Sequence, residues 1–157
     1  MNWAGWFIWG FAATVVLTTL LSASHGFKLT RVNIPFLLGT MVTPDRDRAK
    51  WVGMFIHLLN GWIFSLIYIL AFQVWGEATP MRGALIGLVH GSFVLVVAMP
   101  FLLAVHPRMA SESFGPTVVK LLEPPGFLCL NYGMQTPISV IVAHVIYGMI
   151  LGTFYKI

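Results

Sequence analysis

The stretches HLLNGWIFSLIY (residues 57–68) and HVIYGMILGTFY (residues 144–155) share one pattern within two apolar parts of the chain. Each begins with His, has Gly at its fifth position and ends with Tyr. Residues spaced three or four positions apart lie on one face of an α-helix. The pattern therefore predicts two similar helices, each presenting a histidine, small residues and a tyrosine along one face.

The composition around these stretches is that of a membrane protein. Of the 157 residues, 58% are hydrophobic and 9% are charged, whereas soluble domains carry about 25% charged residues. Four apolar stretches approach or exceed the ~20 residues that cross a bilayer, and they cover about residues 4–24, 51–75, 83–105 and 137–155. The sequence predicts an all-α polytopic membrane protein of one domain, residues 1–157, with the lipid bilayer as its solvent.

The beginnings of the spans also carry local signals. No Lys or Arg precedes the first span, so we expect a retained helix and not a cleaved signal peptide. Thr is followed by Pro near the start of the other three, where Thr can cap free N–H groups and Pro costs no hydrogen bond. These pairs are Thr43 and Pro44, Thr79 and Pro80, and Thr136 and Pro137. Asp45 and Asp47 suit the positive end of a helix dipole, so the second helix is expected to begin before the membrane.

Lys and Arg are concentrated in two loops, which predicts the orientation of the chain. The loop of residues 25–50 holds five of them and the loop of residues 106–136 holds two, against Arg82 and Lys156 on the other side. The positive-inside rule then places both loops in the cytoplasm and both termini outside. The expected location is a bacterial inner membrane. The net charge of +4 is explained by this topology and does not indicate nucleic-acid binding.

The two halves of the chain resemble each other. Residues 10–25 match residues 91–106 at six of sixteen positions without a gap, and the two opening stretches match at four of twelve. These matches predict an internal duplication of a two-helix hairpin, with repeats of about residues 1–78 and 79–157. Both halves would start and end outside, so they would be parallel repeats related by an axis along the membrane normal.

Small residues recur at four-residue spacing in three of the spans. Such residues allow the backbones of two membrane helices to approach closely. The predicted helix-packing positions are Gly61, Ser65, Gly83, Gly87, Gly91, Gly148 and Gly152.

Histidines inside the spans are the candidate functional residues. An ionisable side chain in hydrocarbon is costly and is expected to face the bundle interior. His57 and His144 are predicted at equal depth, either as hydrogen-bonded core residues or as cofactor ligands. A haem iron, as in haem b, takes two axial ligands, and a (bacterio)chlorophyll magnesium needs one. His90 has no counterpart in the first span and is a further candidate, whereas His25 and His106 are expected to anchor the chain or contact loops at the inner surface.

Three functional classes remain open. No catalytic or metal-binding motif is present, and all five acidic residues lie in loops, so an enzyme is not expected. The first class is an accessory subunit of a larger membrane complex, of respiratory or photosynthetic type, or a homo-oligomer. The second is a haem- or chlorophyll-binding subunit. The third is a small transporter or proton-conducting bundle, for which intramembrane charged residues are lacking.

Several dipeptides of the second half follow one another in a recognisable order. They are His90-Gly91, Met99-Pro100 and His106-Pro107, then His144 followed by Tyr147-Gly148, Leu151-Gly152 and Tyr155. This order resembles the spans of small four-helix bacterial integral membrane proteins of unknown function. The resemblance extends over most of the chain and implies the four-helix fold, without implying an activity.

Overall fold

A computed structural model describes all 157 residues, and its secondary structure is helical throughout, without β-strands. The α-helices are α1 (Trp3–Gly26), α2 (Ile34–Val42), α3 (Arg46–Trp75), α4 (Pro80–Phe93), α5 (Met99–Val105) and α6 (Thr136–Phe154). Four spans are long and apolar enough to cross a membrane, namely α1, α3, α6 and the continuous pair of α4 and α5. The predicted all-α fold with four transmembrane helices is confirmed.

The helix starts agree with the sequence signals in part. At α4, the Thr79 hydroxyl accepts a hydrogen bond from the Arg82 backbone N–H at 3.3 Å, as expected of an N-cap. At α3, however, the cap is Asp45, whose side chain accepts from the N–H groups of Asp47 and Arg48. The Thr43 prediction was wrong because the carboxylate two residues later is the stronger acceptor at a helix N-terminus. The helix does begin ahead of the apolar stretch, as expected.

The start of α6 differs from the prediction for another reason. Thr136 does not cap the helix, which has no side-chain cap. Its hydroxyl lies 2.6 Å from the Thr30 hydroxyl, and both side chains are buried. This pair joins the beginning of the first loop, four residues after α1, to the beginning of the last span. Thr136 therefore serves a tertiary contact.

A short π-helical segment, Val94–Ala98, joins α4 to α5. Proline has no N–H to donate and disrupts the preceding turn of an α-helix, and Pro100 lies two residues after this segment. The N–H of Met99 instead reaches the carbonyl oxygen of Val94, five residues back. The wider turn lets the span continue as one membrane-crossing helix.

The other three spans are arranged around α6. This helix packs most extensively against α4 and also against α1, while α1 packs against α3 as well; α3 and α4 touch each other little. The core between them contains Leu17, Tyr68, Phe72, Tyr147 and Leu151, all almost fully buried. The pairs α1–α3 and α4–α6 are hairpins of the predicted kind, but the contacts between the hairpins are unequal, so the internal duplication stays a prediction.

The short helix α2 folds back against α3. A Cβ atom added to Gly53 would lie 2.6 Å from the carbonyl carbon of Pro35, so the two helix backbones are in direct contact there. His106 holds the same helix from the other side, because its Nε2 donates to the Leu37 carbonyl oxygen at 3.0 Å. Burial lowers the pKa of His106, and the nearby Arg108 guanidinium lowers it further against the opposing effect of the Leu37 carbonyl. The expected loop contact of His106 is therefore present.

Candidate functional site

The contact between α4 and α6 is made by glycines. A Cβ atom added to Gly83 would lie 2.6 Å from the carbonyl carbon of Gly148, and one added to Gly87 would lie 2.8 Å from that of His144. Gly152 approaches the backbone of Thr79 in the same way. Carbon atoms normally stay about 3.5 Å apart or more, so only glycine fits at these positions. The close approach brings the side chains that flank the glycines into one cluster.

Gly61 and Ser65, two further predicted packing positions, lie where α3 meets α1. A Cβ atom on Gly61 would come within 3.0 Å of the Thr14 hydroxyl oxygen. The Ser65 hydroxyl accepts a hydrogen bond from the Trp6 indole at 2.9 Å. Gly91 is packed less tightly, with Ile141 as its nearest neighbour at 3.1 Å from the added carbon.

His90 is the centre of a group of rings contributed by three helices, which we call the ring cluster: His90, Phe64, Tyr68, His144 and Tyr147. The Nδ1 atom of His90 and the Tyr68 hydroxyl are 3.0 Å apart and share a hydrogen bond. Phe64 stacks on the His90 ring at a centroid distance of 5.0 Å. His144 meets the same ring edge-on at 4.7 Å. Polar and titratable groups are thus gathered in the interior of the bundle.

His144 is held in a defined orientation. Its Nδ1 donates to the carbonyl oxygen of Val140, one turn earlier in α6, at 2.8 Å. The Nε2 atom then carries the free lone pair. His57 precedes Gly61 by one turn of α3 and His144 precedes Tyr147 by about one turn of α6, so the hydrogen bond from Tyr147 to the Gly61 carbonyl brings the two histidines into one region. The Nε2 of His57 is buried with no hydrogen-bond partner. His57 and His144 therefore share one region of the bundle with His90.

A haem held between His57 and His144 does not fit this packing. The Tyr147 hydroxyl donates to the Gly61 carbonyl oxygen at 2.6 Å and joins α6 directly to α3 one turn away from both histidines. A macrocycle between two axial ligands would have to separate these helices. Neither the open cavity beside Glu112 and Phe127 nor the small one beside Leu21 and His25 is lined by any of the three histidines. No group of three or more His, Cys, Asp or Glu side chains is arranged to hold a metal ion.

The sequence pointed less strongly to His90 than to the other two histidines, yet His90 makes the most ring contacts. The signal was its spacing from the glycine stripe: His90 lies seven residues after Gly83, which is two helical turns and the same face. Tyr68 and Tyr147 were recognised as pattern residues but not as partners of a histidine, because that pairing depends on how the helices cross.

The loop between α5 and α6 carries the second notable feature, a surface. An open cavity of about 710 Å³ is bordered there by Glu112, Leu121 and Phe127. Next to it, the side chains of Phe114 and Val118 are 92% and 94% exposed. Cys129, by contrast, is a buried residue of the same loop, and burial raises the pKa of its thiol to about 11. The loop thus has a packed base and an apolar outer surface.

Comparison with known proteins gives no indication of function, so the ring cluster and the apolar surface of the α5–α6 loop are the features that bear on it. No family model, no curated protein and no solved structure matches the chain. The chain is a membrane protein with four transmembrane helices. The resemblance to small bacterial four-helix proteins stays a prediction.

Proposed function

We propose that this protein is an accessory subunit of a larger membrane protein complex in a bacterial inner membrane. Its two long loops lie on the cytoplasmic side and its termini outside, in accordance with the distribution of Lys and Arg. The complex would be of respiratory or photosynthetic type. The observation that carries the proposal is the apolar outer surface of the loop between α5 and α6.

This surface is unusual because it lies beyond the end of the last transmembrane turn. Lipid chains cover apolar side chains along the spans, but Phe114 and Val118 are in a loop and almost fully exposed. A group of exposed apolar side chains within a few residues of a loop marks an interaction site. Burying a Phe or Val side chain contributes about 1.5–3 kcal/mol, so a partner that covers both would gain several kcal/mol of binding energy.

The interior of the bundle supports a structural role. Its hydrogen bonds join one helix to another, from the Tyr147 hydroxyl to the Gly61 carbonyl oxygen and between the Tyr68 hydroxyl and His90 Nδ1. The spans contain no Asp or Glu within the membrane, and such groups usually mark ion pathways. What remains for interaction is the outside of the molecule.

The test is copurification from native membranes in a mild detergent. The wild-type chain should elute with larger subunits in a fixed molar ratio. The double variant Phe114→Ser, Val118→Ser should lose them, while Phe27→Ser, which alters an exposed apolar side chain of the other cytoplasmic loop, should retain them. A wild-type chain that elutes alone would refute the proposal, as would equal retention of partners by the wild type and both variants.

A second candidate function is ligation of a pigment by one histidine. The free Nε2 lone pair of His144 and the unpaired Nε2 of His57 favour it. A chlorophyll-type pigment, held by one histidine through its magnesium, would supply light absorption. The absorption spectrum of the purified protein tests this function. It predicts a Soret or chlorophyll band that disappears in His144→Ala or His57→Ala, and a protein without such a band excludes it.

A third candidate is proton conduction. It is favoured by the hydrogen bond between Tyr68 and His90 and by the edge-on contact of the His90 and His144 rings. Its test is proton flux into liposomes that contain the purified protein. Flux that is abolished by His90→Gln would support it, and flux equal to that of empty liposomes would exclude it.

A further inference from the structure

The helix α3 carries an asparagine on its lipid-facing side. Asn60 is exposed, and it lies about 14 Å along the helix from Trp51, at the rise of 1.5 Å per residue, which is deep within the apolar part of the span. Its side chain makes no hydrogen bond within the protein, whereas the next polar residues of the helix, Ser65 and Tyr68, are bonded. An amide without a partner in hydrocarbon is strongly unfavourable.

Other outward-facing polar side chains of the spans solve this problem within their own helix. The hydroxyls of Thr19, Ser92 and Thr153 each donate to the carbonyl oxygen four residues earlier, at 2.7–2.8 Å. Asparagine carries two donors and an acceptor on its amide, and in Asn60 none of them is used. A partner outside this chain is therefore needed.

Asn60 belongs to a heptad pattern on the same outward face. The six positions alternate between spacings of four and three residues: Ile56, Asn60, Ile63, Ile67, Leu70 and Val74. In heptad notation, Asn60, Ile67 and Val74 occupy a positions, and Ile63 and Leu70 occupy d positions. β-Branched residues at a, with one Asn among them, are typical of parallel two-stranded coiled coils, in which the Asn fixes register and partner number.

This face is distinct from the face that builds the bundle. The inward side of α3 carries Gly61, Ser65, Tyr68 and Phe72, all buried. The heptad positions from Asn60 to Val74 are all exposed, and Val74 is the most open at 85%. The helix can therefore pack against another helix through its heptad face without disturbing the four-helix bundle.

We propose that two copies of this chain associate through α3, as a parallel left-handed pair with the Asn60 side chains hydrogen-bonded to each other across the twofold axis. Two copies inserted in the same orientation have parallel α3 helices, which the heptad pattern requires. An amide is complementary to itself because it both donates and accepts. In a parallel twofold pair, residues at a positions lie close to the axis and therefore next to their own counterparts. The inference does not depend on the proposed function, since a larger complex can contain two copies.

Disulfide cross-linking in native membranes tests the geometry. The wild-type chain is the background, because its single cysteine, Cys129, is buried. Ile67→Cys, at an a position one heptad after Asn60, should form a cross-linked product of twice 17.4 kDa. Leu88→Cys is the matched control: it is exposed on α4, eight residues from Pro80, as Ile67 lies eight residues from Trp75. It should cross-link at least about tenfold more slowly.

The role of the amide is tested by energy transfer between labelled copies during dilution in lipid. Interhelical hydrogen bonds in membranes contribute enough to change an association constant about tenfold. Asn60→Leu should raise the dissociation constant of the dimer by about that factor, while Asn60→Gln and the control Ser92→Ala should change it less than threefold. The proposal is overturned if Ile67→Cys reacts no faster than Leu88→Cys, if its product has another mass, or if Asn60→Leu dimerises like the wild type.

Discussion

Replacing Gly83 by Ala tests the close contact between α4 and α6. The added carbon would lie 2.6 Å from the carbonyl carbon of Gly148, about 1 Å less than normal contact between carbon atoms. The atoms nearest to the added carbon belong to the backbone of α6, so no flexible side chain can move aside. The helices have to separate along the line that also holds Gly87 and Gly152.

The expected cost follows from two opposing terms. Overpacking a tight contact costs about 1–3 kcal/mol, and the rigid neighbours here favour the upper end of that range. Alanine regains about 1 kcal/mol in a helix relative to glycine. The net expected loss is about 2 kcal/mol in the free energy of unfolding, which is a factor of about 30 in the unfolding equilibrium.

The assay is unfolding in mixed detergent micelles, followed by circular dichroism as the denaturing detergent is increased. Gly26→Ala is the control, because no atom lies within 4 Å of a carbon added at Gly26. It should be as stable as the wild type or slightly more stable. If Gly83→Ala unfolds within about 0.5 kcal/mol of Gly26→Ala, less than the usual cost of overpacking, the described helix contact is incorrect.

Three further predictions use the same protein. Tyr147→Phe removes the hydrogen bond to the Gly61 carbonyl and should lower the free energy of unfolding by about 1 kcal/mol; an unchanged value would show that the bond is absent. Burial lowers the pKa of His106 and so favours its neutral form. The contribution of His106 to stability should therefore be complete above the ordinary histidine pKa of 6.5 and should fall as the pH drops below 6.5. His106→Gln should lack this pH dependence in melting measurements, and equal pH profiles of wild type and variant would contradict the reasoning. The thiol of Cys129 has its pKa raised to about 11, so iodoacetamide should modify it only after unfolding; rapid modification of the folded protein, measured by mass spectrometry, would contradict its burial.

Much of the fold could be predicted because lipid imposes simple rules. Long apolar stretches become helices wherever backbone groups have no water to bond. The α4–α5 span was predicted as one helix despite Pro100, although the π-helical turn that makes this possible was not. Helix caps were predicted less well, because Asp45 and Thr136 take roles that depend on neighbours.

The ring cluster shows where sequence reasoning ended. Matching patterns indicated His57 and His144 as residues of similar depth, since each lies in a similar apolar helix. They could not indicate that His90 would contact both Tyr68 and His144, because that contact depends on the glycine-mediated crossing of α4 and α6. Asn60 was present in the opening stretch, but its outward direction became visible only when the inward face of α3 was known.

Native mass spectrometry of proteins released directly from membranes tests the proposed function most directly. We expect the 17.4 kDa chain to appear within assemblies that contain larger subunits, at a constant ratio of copies. Collisional activation should release this chain from those assemblies. Detection of the chain only by itself, or only with copies of itself, would contradict its role as an accessory subunit.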